Sequence, residues 1–342
     1  MDSVFLIDKL ILCGILLLVA LGIAAYTTLA ERKLAAYIQD RIGPDRAGPK
    51  GLLQPIADGV KSFFKEEIFP NTADKTLFIL GPCIFMCTAL MTYAVIPWGR
   101  DLVINGRNFQ LQVADLNIGV LYSFGVVSLG VYGVMIGGWA SNNKYSLLGA
   151  IRASSQMISY ELAMGLSIIP LIMMTGSLSL RDISEAQQGF HWNIIYQPVA
   201  FIIFFTCALA ECNRTPFDLP ESESELIGGY HTEYSSMKLA MFLFGEYVNI
   251  FVSSALIVTL FFGGYNFPYM DSLGLSQNMV AMLSVLAFFI KIFFFIFVFI
   301  WIRWTLPRFR FDQLMRLGWQ IFIPLAIINI LVTGLVLTLL NN

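Results

Sequence analysis

Charged residues are scarce in this chain. Asp, Glu, Lys and Arg make up 13% of its 342 residues, while 57% of the residues are hydrophobic. A soluble domain carries about 25% charged residues, so this composition argues against a soluble globular protein. It is typical of a polytopic membrane protein, whose fold must obey the rules of the bilayer.

Residues that hold metals and cofactors are also few. The only histidines are His191 and His231, and none of the five cysteines forms a CxxC pair. No GxGxxG or Walker pattern follows a strand-like segment. We therefore expect no bound flavin, haem, metal or iron–sulfur cluster, and no nucleic acid partner. If the chain serves redox chemistry, the electrons come from a partner.

The N-terminus lacks the basic segment that begins a secretory signal peptide. Asp2 and Asp8 stand there instead, and the apolar run extends to about residue 30. We expect this run to be an uncleaved first transmembrane helix.

Long apolar runs dominate the rest of the chain. Eight of them approach the roughly 20 residues that span a bilayer as a helix. They lack sustained two-residue alternation, so helices rather than a barrel satisfy the backbone. The sequence predicts an all-α protein with one transmembrane domain, 1–342. The predicted spans are 8–30, 77–97, 118–138, 156–175, 194–211, 239–264, 280–303 and 319–340.

The distribution of Lys and Arg predicts the orientation. Sixteen of these residues lie in the odd-numbered loops, eight of them in the first loop, 31–76, and only four lie on the opposite face. Cytoplasmic loops carry this excess, so we predict that the odd loops, including 211–238 and 303–318, are cytoplasmic. Both termini then lie on the non-cytoplasmic side.

The first loop contains a predicted amphipathic helix. Apolar residues from Leu52 to Phe64 recur at helical spacing, opposite Asp58, Lys61 and Lys65. Such a helix lies in the membrane interface. Two interpretations stay open: an anchor that caps the bundle, or one border of an opening for a lipid-soluble ligand.

The loop after the fifth span is unusually acidic for a segment between apolar runs. ECNRTPFDLPESESELIGGYHTEY, residues 211–234, carries six carboxylates and one Arg. Glu161 and Glu246 lie inside neighbouring spans, and Lys291 lies near the middle of the seventh. Ionisable groups at such depths are costly, which favours proton or cation handling. The alternatives are carboxylates that reach the interface and a structural ion pair, for example between Glu246 and Lys291.

Four segments resemble a known family. They are ERKLAAYIQDRIGPDRAGPKGLLQPIADGVK, RASSQMISYELAMGLS, ECNRTPFDLPESESELIGGYHTEYSSMK and RWTLPRFRFDQLM. In this order they are similar to the H subunit of proton-pumping NADH:quinone oxidoreductase, respiratory complex I, of the bacterial type. The resemblance runs over essentially the whole chain.

The resemblance implies a multi-pass subunit of the bacterial inner membrane that forms most of a tunnel for quinone, either ubiquinone or menaquinone. Its implied partners are the peripheral-arm subunits that carry the terminal iron–sulfur cluster and the headgroup site, the small and antiporter-like membrane subunits, and lipid. The implied tunnel residues are Arg32, Arg41, Arg46, Asp58, Lys61, Phe64, Arg303 and Arg310. The implied proton path comprises Glu161, Glu211, Glu221, Glu223, Glu225 and Glu246, to which we add Lys291 from its depth.

Two other classes remain open at the level of sequence. One is the related membrane subunit of a hydrogenase or another dehydrogenase, although the intact first loop favours quinone. The other is a stand-alone ion transporter, which often shows internal repeats. We find no convincing similarity between the two halves of this chain.

Overall fold

The computed structural model describes residues 3–104, 106–219, 223–270 and 274–341. Within them the chain is mainly helical, and a short hairpin pairs Leu102–Ile104 (β1) with Arg107–Phe109 (β2). The predicted all-α membrane fold is thus confirmed. Seven helices in the described part are long and apolar enough to cross a membrane.

The helices follow the predicted spans with shifted ends. The long ones are α1 (Ser3–Ile38), α3 (Lys75–Thr92), α4 (Gly119–Ala140), α5 (Lys144–Thr175), α10 (Ser236–Phe261), α11 (Gln277–Thr305) and α13 (Ile323–Asn341). The shorter ones are α2 (Gln54–Phe64), α6 (Leu180–Glu185), α7 (Asn193–Tyr196), α8 (Pro198–Glu211), α9 (Glu223–Leu226) and α12 (Phe311–Arg316). The predicted start of the first loop at residue 31 falls inside α1, because the helix continues beyond the apolar run.

Two spans differ from simple helices. The fifth is broken at Gln197 between α7 and α8, and α8 has only 14 residues. The eighth joins α12 to α13 through a π-helical segment, Leu317–Phe322. A π-helix is rare and is defined by its backbone hydrogen bonds, so the length of an apolar run does not predict it.

Close helix contacts hold the bundle together. A Cβ on Gly81 of α3 would lie 2.8 Å from the Cα of Gly137 on α4, so only glycine allows these backbones to approach so closely. Helix α10 packs against α1, α3 and α11, and α5 packs against α4, α8 and α13. The core therefore centres on α5, α8 and α10, which flank the acidic loop.

Hydrogen bonds join the predicted cytoplasmic loops at one end of the bundle. Ser236 at the start of α10 donates to the backbone carbonyls of Ser62, 3.0 Å away, and Lys65, 2.9 Å away. The amide of Phe309, in the last loop, donates to the carbonyl of Pro216 in the acidic loop at 3.1 Å. Three of the predicted cytoplasmic loops, those after α1, α8 and α11, therefore meet at this end of the bundle.

The apolar face of α2 has no cover within the described part of the chain. Ile56, Val60, Phe63 and Phe64 are each at least half exposed. The helix and its amphipathic pattern agree with the prediction. An uncovered apolar face beside membrane-spanning helices is what an interfacial helix presents to lipid.

Candidate functional site: a buried acid–base cluster

The loop after α8 folds back into the bundle instead of extending into solvent. Asn213, Arg214, Phe217 and Asp218 are each less than 5% exposed. The amide of Gln156, on α5, donates to the carbonyls of Ala210, 2.8 Å away, and Phe217, 2.7 Å away. Because buried backbone acceptors need partners, this one side chain fixes the start of the acidic loop.

Glu246 lies at the centre of the cluster. Its side chain is 1% exposed and forms an ion pair with Arg214 at 3.1 Å, outside good hydrogen-bond alignment. The hydroxyl of Tyr230 donates to the other carboxylate oxygen at 3.0 Å. A buried carboxylate is tolerable when it is paired and hydrogen-bonded in this way.

Glu211 differs from Glu246 because no hydrogen-bond partner in the described part of the chain reaches either carboxylate oxygen. The residue is 5% exposed at the end of α8. It lines a cavity of about 20 Å³ together with Ser123, Asn249 and Ser253. That volume and those polar groups suit a single water molecule. Such a site lets a carboxylate exchange a proton without a protein partner.

Glu161 lies close enough to Glu211 for the two charges to interact. It is half-buried on α5 and accepts a hydrogen bond from the Ser128 hydroxyl on α4. It also lines an open apolar groove of about 540 Å³ between α4 and α5. Like charges at short range in low dielectric resist simultaneous ionisation, so these two acids are suited to sharing protons.

The remaining predicted acids are less central. Glu225 is exposed and pairs with Arg152 at 2.5 Å. Glu223 begins α9, and Glu221 lies outside the described residues. The structure therefore brings Glu161 and Glu211 together and places Glu246 on α10, while Glu225 lies on the surface.

Lys291 does not meet Glu246, and the suggested pair is wrong. Its ammonium donates to the carbonyls of Phe262 at 2.8 Å, Gly264 at 3.0 Å and Asn266 at 2.6 Å. Phe262 follows Glu246 by 16 residues, roughly 24 Å along a helix. These carbonyls belong to the C-cap of α10 and the turn that follows it, so the ammonium lies at the C-terminal end of the helix and complements its dipole.

The predicted tunnel residues fall into two groups. Arg32 pairs with Asp58 at 2.7 Å, and Arg303 forms an ion pair with Glu31, which is almost fully buried. The others are exposed at the end of the bundle where the predicted cytoplasmic loops meet: Arg41, Arg46, Lys61, Phe64 and Arg310. The structure thus connects α1 with α2 and with α11 through these ion pairs.

A large apolar groove lies on α1 and α11, the two helices that the Glu31–Arg303 pair joins. It measures about 860 Å³ and runs between α1 and α11, where its lining includes Tyr26, Thr27, Lys33 and Phe297. Mostly apolar concave surfaces with a few polar groups are typical of sites for small lipophilic ligands.

Sequence reasoning missed four residues of the site: Glu31, Arg214, Asp218 and Tyr230. Asp218 is 2% exposed and pairs with Arg308 at 2.9 Å. Glu31 at the end of an apolar run was a detectable signal. Arg214 and Tyr230 carried none, because their role depends on a loop that folds inward.

No group of three or more His, Cys, Asp or Glu side chains that could hold a metal ion occurs among the residues described. The fold and the cluster define a multi-pass helical membrane protein with buried, mutually interacting acids beside a lipophilic groove. Such a constellation is typical of a protein that handles protons within the membrane.

Comparison with known proteins identifies the family. The model of the NADH dehydrogenase family matches residues 11–334. An H subunit of the NADH-quinone oxidoreductase of Cytophaga hutchinsonii is 66% identical over 330 residues, which cover 96% of both chains. The H subunit from Flavobacterium johnsoniae is 59% identical, covering 98% of this chain and 97% of that protein. An H subunit from Geobacter metallireducens is 51% identical over 95% of both.

The chain belongs to this family and is a membrane subunit of NADH-quinone oxidoreductase, respiratory complex I. The resemblance inferred from four sequence segments is confirmed. The hydrogenase and transporter alternatives have no support among these relatives.

Proposed function

We propose that this protein provides the access path for quinone and couples quinone reduction to proton translocation through its buried acids. The observations that carry the proposal are an apolar groove lined by α1 and α11, the Glu31–Arg303 ion pair that joins these two helices, and the buried Arg214–Glu246 pair on α10 and the acidic loop. Charged groups are costly at this depth and are kept where they serve a path.

The groove between α1 and α11 and the uncovered face of α2 support the quinone side of the proposal. A quinone with an apolar tail partitions into the bilayer and enters between helices. Arg32 and Asp58 tie α1 to α2 beside this entry, and Arg303 ties α1 to α11. The exposed Arg41, Arg46, Lys61, Phe64 and Arg310 complete the tunnel together with peripheral-arm subunits that carry the terminal iron–sulfur cluster.

The acids support the coupling side. Protons pass along Glu246, Glu211 and Glu161, and Glu221, Glu223 and Glu225 of the acidic loop belong to the same path. Glu161 lies in the outward groove between α4 and α5, so its face suits the small and antiporter-like membrane subunits. We place the chain in the bacterial inner membrane with both termini on the non-cytoplasmic side. Its eight spans are the seven long helices and, as the eighth, the shorter α8.

The coupling is electrostatic. Reduction of ubiquinone or menaquinone to the quinol takes up two electrons, supplied by NADH through partner subunits, and two protons. Transient negative charge in the tunnel changes the field at Glu31 and Arg303. In a medium of low dielectric, such a change alters the proton affinity of neighbouring acids over several ångströms. Protonation then shifts along the buried carboxylates.

The test replaces Glu211 with Gln in the intact complex. Glu211→Gln keeps the shape but removes the titratable group, so proton pumping with quinone should fall sharply. Electron input, measured as NADH oxidation by ferricyanide, should remain unchanged. Glu161→Gln should behave in the same way. The matched control is Glu185→Gln, at the opposite end of the bundle, where the carboxylate pairs with Arg181. Normal pumping in both Glu211→Gln and Glu161→Gln would exclude the proposed path.

A further inference from the structure

Helix α2 is held to the bundle by a few polar contacts. None of its 11 residues, Gln54–Phe64, is buried against the described part of the chain. Near the middle of the helix, Asp58 pairs with Arg32 of α1 at 2.7 Å. Packing supplies most of the stability of helices in proteins, and α2 has little of it. Its position therefore depends on contacts at a few points.

Hydrogen bonds fasten the C-terminal end of α2 to the start of α10. The Ser236 hydroxyl donates to the carbonyls of Ser62 at 3.0 Å and Lys65 at 2.9 Å. The amide of Ile68 donates to the Ser235 hydroxyl at 3.0 Å. The last carbonyls of a helix lack partners inside it, so Ser236 supplies a donor that α2 itself does not have.

Lys238 adds a buried cation to this junction. It lies two residues after Ser236 in α10 and is 7% exposed. Its Nζ forms an ion pair with Glu67, 2.5 Å away, and lies 3.3 Å from the centre of the Phe69 ring. This Nζ has no hydrogen-bond partner among the described residues. The cost of burying the cation is therefore offset by the carboxylate and the aromatic face.

The side of the junction opposite α2 is well packed. Phe69 packs on Phe78 of α3, with ring centres 5.8 Å apart, and Phe78 stacks on Tyr234 at 4.0 Å. Tyr234 ends the acidic loop, and its hydroxyl donates to the carbonyl of Phe78 at 3.1 Å. Both rings are less than 5% exposed. Lys238 thus joins a lightly held helix to a densely packed part of the bundle.

We propose that Lys238 is a positioning residue for the quinone path, because its ion pair with Glu67 holds the C-terminal end of α2 against α10. The inference rests on the proposed function, in which α2 borders the quinone entry, and names the contact that fixes this border. Lys238 acts through α2. When the pair is lost, the end of α2 separates from α10 for a larger fraction of the time, and fewer molecules have a complete entry.

Three substitutions test the pair. Lys238→Met removes the cation and keeps an unbranched stem, Lys238→Arg keeps the charge, and Glu67→Gln removes the partner. The matched control is Lys144→Met, at the exposed start of α5. Each variant is studied in the assembled, purified complex. The measurements are hydrogen exchange of the segment 54–68 by mass spectrometry, NADH oxidation by ferricyanide, and the kcat and KM for a short-chain quinone.

In Lys238→Met we expect faster hydrogen exchange in 54–68 and normal ferricyanide activity. The KM for quinone should rise roughly threefold to tenfold with little change in kcat, because apparent affinity falls with the fraction of molecules in which α2 is in place. Glu67→Gln should act in the same direction. The two changes together should add little, since both remove one interaction. Lys238→Arg should restore most of the protection and of the KM.

Unchanged exchange of 54–68 in Lys238→Met would overturn the inference, and so would faster exchange with a normal KM. An equal loss of ferricyanide and quinone activity in both Lys238→Met and Glu67→Gln would also overturn it, since that indicates a role in assembly. Phe64→Ala, on α2 itself, separates these failures from that of the proposed function. A raised KM in Phe64→Ala with a normal KM in Lys238→Met rejects only the role of Lys238. A normal KM in both rejects α2 as a border of the quinone entry.

Discussion

Removal of Arg214 tests how strongly the cluster depends on its buried ion pair. Arg214→Met preserves an extended side chain but removes the cation. The Glu246 carboxylate then keeps the neutral Tyr230 hydroxyl as a hydrogen-bond donor. The two side chains are 5% and 1% exposed, so water cannot replace the lost cation. Breaking a buried pair from one side typically costs about 3–5 kcal/mol. For a chain of this size, that corresponds to a fall of roughly 5 °C in melting temperature.

The double variant Arg214→Met with Glu246→Gln should recover most of this loss. Removing both charges also removes the cost of burying an unpaired carboxylate, and Gln can still accept from Tyr230. The double-mutant cycle therefore measures the coupling between the two residues separately from the effect of each truncation.

Thermal exposure of the buried Cys207 can serve as the assay. A thiol-reactive dye labels Cys207 as it becomes exposed when the purified complex is heated, in a background where the other four cysteines of this chain are replaced by Ser. The label on this subunit is then read separately from that on its partners, after separation on a denaturing gel. The reasoning would be refuted if Arg214→Met melted at the parental temperature. It would also be refuted if the double variant were as unstable as the sum of the single variants.

Three further predictions concern packing, reactivity and capping. Gly149→Ala should destabilise the chain by about 1–3 kcal/mol, because its Cβ would lie 2.7 Å from the backbone of the acidic loop. Gly165→Ala has open space and should be tolerated. Melting curves followed by circular dichroism compare the two variants. Burial raises the pKa of the Cys212 thiol to about 12, so the thiol stays protonated from pH 6 to pH 9. A maleimide should therefore label an exposed Glu225→Cys reporter over that range and leave Cys212 unmodified, as mass spectrometry would show. Lys291→Met should lower the melting temperature of the complex while leaving the protons pumped per quinone unchanged, and a fall in that ratio would contradict the capping role.

Helix existence was predictable from apolar length, but helix ends were not. Helix α5 begins at Lys144, 12 residues before the predicted start, because Asn143 caps it through a side-chain bond to the Tyr145 amide. The polar first turns of such helices lie outside the apolar window. The break at Gln197, in contrast, has a local signal, because Pro198 follows it and disfavours helical geometry at the residue before it. The amide of Gln197 also donates to Thr333 on α13 at 2.9 Å.

The acids themselves were visible in the sequence, and their partners were not. Glu161, Glu211 and Glu246 stand out because ionisable residues are costly within apolar spans. Whether each is paired depends on groups far away along the chain: Glu246 meets Arg214 and Tyr230, whereas Glu211 lines a small cavity. Lys291 shows that the depth of a residue in a span does not predict its partner. Its position in the span was clear, yet its carbonyl partners are contributed by the turn after α10.

The sequence by itself determined the membrane class, the helical architecture, the interface helix and the family, since these follow from composition, apolar length, periodicity and long local motifs. Only the tertiary structure decided that the acidic loop folds inward and which acids are paired. The physical reason is that burial and charge pairing are properties of non-local contacts. Side chains such as Glu31 and Arg303, 272 positions apart, meet only when the helices pack.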